Sequence, residues 1–161
     1  SMYHNHIHAR SVNSRDHVSR NWVKGFWSSI KSDIPEGWRV CGENVFAKHS
    51  IHYDSLISYF LGFSVWNEKN ESLSWDDSVD WFSLLGIQTV PILYDGLFDS
   101  KVVEEIHQKM DPNRMEGYVV RIADKFSYLD FKTSMGKMVR KGHVQTDDHW
   151  LSKPVERNIV K

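Results

Sequence analysis

Three runs of strand-forming residues, each with charged side chains planted in it, constrain this chain more than anything else in it. They are R-V-C-G-E-N-V-F-A-K at 39–48, M-E-G-Y-V-V-R at 115–121 and K-M-V-R-K-G-H at 137–143. Alternate residues of a strand face opposite sides of a sheet. One face of each run can therefore pack while the other carries charge, and side by side the runs bring Glu43, Glu116 and Lys137 to one face. The helix signals lie between and around them. From Ser14, the residues Val18, Trp22, Phe26 and Ile30 recur every four positions, with Val23 and Trp27 beside them, which predicts a helix. Ser14 or Asp16 caps its start, and Pro35-Glu36-Gly37 ends the segment with a turn. Gly25 weakens the helix slightly.

The rest of the chain continues the mixture. Strands are expected over 3–11, 38–48 and 58–66, with a polar loop from Asn67 to Ser74. A helix starting at Trp75 or Asp76 buries Val79, Phe82 and Leu85 and closes at Gly86. Thr89 to Tyr94 reads as a strand at an edge or sheet end, because Pro91 cannot donate to a ladder. Residues 99–109 form a helix with Val102, Val103 and Ile106 inward, and strands at 116–123 and 135–144 finish the sheet. The expectation is an α+β fold, a largely antiparallel sheet flanked by helices, in one domain over 3–150 with a tail at 151–161.

Composition narrows the classes. With 40% hydrophobic residues and seven Trp, the chain can bury a core and is not disordered. A net charge of -1 provides no global basic field, so nucleic acid would need a local patch. The single cysteine, Cys41, excludes an internal disulfide framework and fits a reducing compartment; in its apolar setting it reads as a small buried hydrophobe. There is no signal peptide and no apolar run of about 18 residues, so a soluble, cytoplasmic protein is expected.

Two carboxylates and several cations around a groove suit a nucleoside triphosphate and its metal. The plain alternatives are a solvent-facing strand end for Glu43, a surface acid for Glu116, an ordinary surface arginine for Arg10 and a core aromatic for Phe63. His4, His6 and His8 alternate, a possible zinc-ligand set on one strand face, but no distant partner has convincing spacing. His49, His52, His143 and His149 read as loop or polar groups near the groove. Tyr53-Asp54 and Asp147-Asp148 read as turns and caps.

In their order, spacing and strand setting these motifs resemble the nucleotidyltransferase domain of ATP-dependent RNA ligases, within the ligase and capping-enzyme superfamily. The likeness runs from His8 to Trp150. H-A-R-S at 8–11 is similar to the segment after the nucleotide-accepting lysine. G-E-N at 42–44 resembles motif III and Y-F-L-G-F-S-V-W at 59–66 motif IIIa, while E-G-Y-V-V-R and K-M-V-R-K-G-H resemble motifs IV and V. The resemblance implies the superfamily's two-layered, ATP-grasp-like fold with ATP and Mg²⁺ as cofactors. AMP would be carried on a lysine, passed to an RNA 5′-phosphate and displaced by a 3′-hydroxyl as the RNA ends are joined. It implies Glu43 on the ribose hydroxyls, Phe63 stacked on adenine, Arg10 steadying the nucleotide, Glu116 by the metal and reacting phosphate, and Lys137 on the ATP phosphates. Many members carry K-x-K in motif V; here Val139 takes the second place, leaving Arg140 or Lys141 to replace it.

One departure matters most. No K-x-D-G occurs in the 161 residues, and the family places that lysine a short way before H-A-R-S. Lys24 and Lys31 fall on the expected helix and Lys48 follows motif III, so none is an obvious substitute. The resemblance therefore implies a domain incomplete at its N-terminus that cannot self-adenylylate. The alternative is a catalytically inactive nucleotide- or RNA-binding module. A strand missing near residue 3 would leave an open sheet edge, a route to a homo-oligomer.

Overall fold

A computed structural model of the chain describes residues 1–9, 17–141 and 154–161. Its main sheet has six strands. β1 (Met2–Tyr3), β2 (Arg39–Asn44) and β3 (Phe60–Trp66) are followed across the sheet by β4 (Glu71–Ser72) and β7 (Phe126–Ser127), and β5 (Gln88–Thr89) runs parallel to β3. A second, two-stranded sheet pairs β6 (Gly117–Arg121) with β8 (Met135–Val139), antiparallel. The fold is α+β and largely antiparallel, as the pattern predicts. The expectation that 116–123 and 135–144 finish the main sheet fails, because among the described residues those strands pair only with each other. Of the second run, residues 142–144 lie outside the described residues.

Both long N-terminal helices cover one face of the main sheet. α1 (Asn21–Ile30) is flanked by single 3-10 turns at Val18–Arg20 and Lys31–Asp33. The proposed caps Ser14 and Asp16 lie outside the described residues, and the His17 ring accepts from the Ser19 amide at the first of these turns. α2 (Trp75–Leu84) begins at Ser74, whose hydroxyl accepts from the Asp77 amide, an N-cap. It ends before Gly86, which takes a left-handed φ of 67°, the turn glycine such ends favour. Val23 and Ile30 of α1, Phe82 of α2 and the following Leu85 pack on Val40, Phe60 and Val65 of the sheet.

Three sequence expectations shorten for identifiable reasons. Residues 3–11 do not make one strand: after Met2–Tyr3 the chain turns, with Tyr3 N–H bonded to His6 O and Met2 bridged back to Ile7. His4, His6 and His8 therefore do not share a strand face; His6 and His8 stack with Tyr3, while His4 Nδ1 lies 3.1 Å from Ile34 O. The strand at Thr89 to Tyr94 stops at Thr89, before Pro91, and 91–98 are exposed. The polar stretch 67–74 contains β4, whose Ser72 pairs with Trp66.

α3 (Ser100–Lys109) starts on an Asp99 cap, keeps Val102, Val103 and Ile106 only half-buried, and touches the small sheet through His107 edge-on to Tyr118. Beyond β7 a short helix, α4 (Phe131–Ser134), leads into β8. None of the residues of α3, β6 and β8 is fully buried. The main brace between the sheets is Arg121. Its guanidinium donates to the carbonyls of Phe63 (3.3 Å) and Leu73 (3.1 Å), and its burial lowers its pKa. No helix among the described residues is long and apolar enough to cross a membrane.

Candidate functional site: a two-carboxylate cleft between the sheets

The pairing register decides which side chains of β2 are available. Val40 pairs with Val65 on the helix-covered face, so Arg39, Cys41 and Glu43 alternate onto the open face. The register then slips: Cys41 lies opposite Ser64 but Gly42 opposite Gly62, which leaves Phe63 as the extra residue of a bulge. Gly42 is required at that close passage, since a Cβ there would lie 2.6 Å from the Leu61 carbonyl oxygen. Cys41 is half-buried rather than fully enclosed, with its sulfur 3.3 Å from Ser1 Oγ.

Glu116 arrives from the other sheet. It directly precedes β6, and its carbonyl accepts from the Arg140 amide at 2.8 Å, one step beyond the last ladder pair, Gly117 with Val139. Gly117 has no room for a side chain, because a Cβ would sit 2.0 Å from Met138 O. Each carboxylate thus neighbours a glycine that lets two strands close up beside it. The Ser50 hydroxyl donates to the Glu116 carboxylate.

Glu43 and Glu116 line one cleft of about 90 Å³, together with His49, Ile51, Tyr53 and Asn158. Glu43 is exposed as a residue, yet protein crowds its carboxylate. Desolvation raises its pKa above the usual carboxylate range; His49 and Lys137 oppose that shift, and Glu116 adds to it. Tyr53 is likewise pushed up by burial and then by the two carboxylates, with Arg140 working against them. The repulsion between Glu43 and Glu116 is the part of this shift that a cation placed between them would relieve. Two carboxylates and a hydroxyl supply the oxygen donors Mg²⁺ prefers, and this ion usually keeps several waters. Among the described residues no group of three or more His, Cys, Asp and Glu side chains converges on one point.

The remaining sequence candidates divide. Lys137 is exposed on β8 opposite Val119, close enough to act on Glu43. Lys141 is exposed on the turn after β8, and it is Arg140 whose charge reaches Tyr53. The Arg140 Nε is buried with no hydrogen-bond partner among the described residues. Phe63 sits half-buried at the bulge and does not line the cleft; its carbonyl is held by Arg121. Arg10, His143, His149 and Asp147-Asp148 lie outside the described residues. Sequence reasoning did not single out Ser50, took Tyr53 for a turn residue and left Asn158 in the tail, because loop residues 45–58 carry no periodicity. A hydroxyl, a phenol and an imidazole within five positions, directly after G-E-N, were the available signal.

The fold and the cleft together define an α+β domain that brings two carboxylates, one beside each sheet, to a single opening. A family model described as RNA ligase matches residues 1–139, and the chain belongs to the RNA ligase family. No curated protein and no solved structure matches it.

Proposed function

We propose that the cleft between the two sheets binds the phosphates of ATP with Mg²⁺, and that the domain serves adenylyl transfer in the joining of RNA ends. The observation that carries this reading is the convergence of Glu43 and Glu116, from separate sheets, on one cleft within reach of Lys137. Membership of the RNA ligase family supports RNA and ATP as the substrates. In this reading Glu116, steadied by Ser50, holds Mg²⁺ through its carboxylate. Lys137 neutralises charge on the phosphates as it develops, and Glu43 accepts hydrogen bonds from the ribose hydroxyls. A bound Mg²⁺, held by Glu116, would supply Lewis-acid stabilisation of negative charge on the phosphates. Phe63, at the bulge beside β2, would offer its ring to adenine, and Arg10 would steady the nucleotide. Of the two motif V alternatives the reading takes Arg140, whose buried Nε favours it over Lys141. The edge strand β1 spans two residues, which speaks against self-association along this edge.

The 161 residues contain no K-x-D-G, so this chain by itself should not form a lysyl-AMP. Labelled ATP with Mg²⁺, followed by denaturing electrophoresis, should leave no label at 18.9 kDa; a labelled band would redirect attention to Lys24, Lys31 and Lys48. A longer chain carrying an in-frame K-x-D-G ahead of His8 should label itself and seal 5′-phosphorylated RNA, and Glu116→Ala in it should abolish AMP transfer. Normal sealing by that variant would remove Glu116 from the reaction.

A further inference from the structure

We infer that the segment 154–161, beyond the residues matched by the family model, is a working wall of the cleft, and that Asn158 is its positioning residue. The inference starts from the loop between β2 and β3. Residues 45–58 have no element of their own, yet they carry His49 and Tyr53 into the cleft and hold Ser50 against Glu116. A segment without helix or ladder must find partners for its backbone groups elsewhere. The C-terminal segment supplies them. Lys48 N–H bonds to Glu156 O at 2.8 Å, Leu56 N–H to Ile159 O at 2.9 Å, Ile159 N–H to Tyr53 O at 2.9 Å and Lys161 N–H to Leu56 O at 3.1 Å. The Lys48 ammonium also pairs with the Glu156 carboxylate at 2.8 Å.

Asn158 stands at the centre of this lacing. It is 1% exposed, and all its polar groups point at the loop or its border. Its side-chain oxygen accepts from the Tyr53 amide at 2.9 Å, and its side-chain nitrogen donates to Val45 O at 2.9 Å. Its backbone N–H donates to Phe46 O at 2.9 Å, and its carbonyl accepts from the Tyr59 hydroxyl at 3.0 Å. One amide side chain therefore clamps the loop at both ends of the stretch bearing His49, Ser50 and Tyr53. An apolar residue there could fill the space but could hold neither Val45 O nor the Tyr53 amide, and unmet buried polar groups drive a loop to rearrange. Asn158 acts on the Glu116 carboxylate through the loop: it fixes Tyr53, Ser50 follows, and Ser50 orients the carboxylate. The consequence for ligand binding rests on the proposed nucleotide reading; the consequence for geometry does not.

The test uses the whole chain and reads geometry and binding separately. In amide-resolved NMR spectra Asn158→Ala should shift Ser50 and Glu116, the latter 42 positions away in sequence, while the indole signals of Trp27 and Trp66 stay in place. Titration with Mg·ATP should then give an affinity about tenfold weaker than the parent's, roughly the worth of one well-made hydrogen bond. Asn158→Ser removes the clamp to Val45 O without burying a charge and should shift the same signals; it also serves if the alanine variant does not fold. Tyr59→Phe loosens the segment without touching the side-chain clamp and should bind like the parent at a lower denaturation midpoint. Unchanged Ser50 and Glu116 signals in a folded Asn158 variant would overturn the inference, whatever the stability. Shifted signals in a protein whose parent binds no Mg·ATP would uphold the positioning role and sink the nucleotide reading.

Discussion

The two carboxylates stand on unequal ground. Glu43 belongs to a sheet whose other face is sealed by α1 and α2 over a continuous core. Glu116 belongs to a two-stranded sheet in which no residue is fully buried, backed by a helix of which the same is true. A two-stranded sheet alone is marginal in water. The small sheet keeps its place through local ties, chiefly Arg121 to the Phe63 and Leu73 carbonyls and Ser50 to Glu116. The cleft therefore has one wall set by core packing and one set by a handful of polar contacts. Local stability follows buried apolar contact, so the Glu116 wall should open more easily than the Glu43 wall.

The largest effect should come from the sealed wall. Phe82→Ala removes a fully buried ring against Gly62 and should cost about 3–5 kcal/mol in urea denaturation. Val119→Ala on the small sheet, where the side chain is 53% exposed, should change stability by less than about 0.5 kcal/mol. Comparable losses at the two sites would erase the distinction between the walls.

Arg121→Ala should come next, at about 1–3 kcal/mol for the two charge-assisted hydrogen bonds to the Phe63 and Leu73 carbonyls that it removes. Its signature is regional: faster hydrogen exchange in β6 and β8, with β2 and β3 unchanged. Uniform loss of protection across both sheets would mean that they open as one unit.

The smallest effect concerns Glu43. Its pKa is raised by burial, so the fold favours its protonated form. Its contribution to stability is then fullest below the ordinary carboxylate value and is lost as pH rises through the elevated one. Glu43→Gln should accordingly be the more stable protein at pH 7, by about 1 kcal/mol or less because Glu43 is exposed as a residue. The two proteins should converge toward roughly pH 4. An advantage that persists unchanged at low pH would assign the effect to packing.

This contrast also explains what was legible in the sequence. The strands at 39–44 and 60–66, and the helices on the four-residue pattern from Val18 and at Trp75, were readable because a buried face imposes a period on the residues that fill it. The separation of β6 and β8 from the main sheet was not, since strand patterns do not say which strands pair. Glu43, Glu116 and Lys137 were legible because charge inside a strand-forming run stands out. Ser50, Tyr53 and Asn158 were not, because a loop held by long-range backbone bonds leaves no local trace. The placing of Arg140 rather than Lys141 beside Tyr53 needed the end of the β8 ladder, which only coordinates supply.

If this cleft takes the phosphates of a nucleoside triphosphate with magnesium, the cations beside it should set the affinity. Calorimetry of Mg·ATP against the parent chain, Lys137→Ala, Arg140→Ala and Lys141→Ala tests it most directly. The parent should bind weakly, no tighter than about 100 µM, since a stacked base and partly exposed charge contacts contribute on the order of 1 kcal/mol each. Lys137→Ala and Arg140→Ala should each weaken binding several-fold, and Lys141→Ala should leave it unchanged. Equal affinities for the parent and Lys137→Ala would contradict the account.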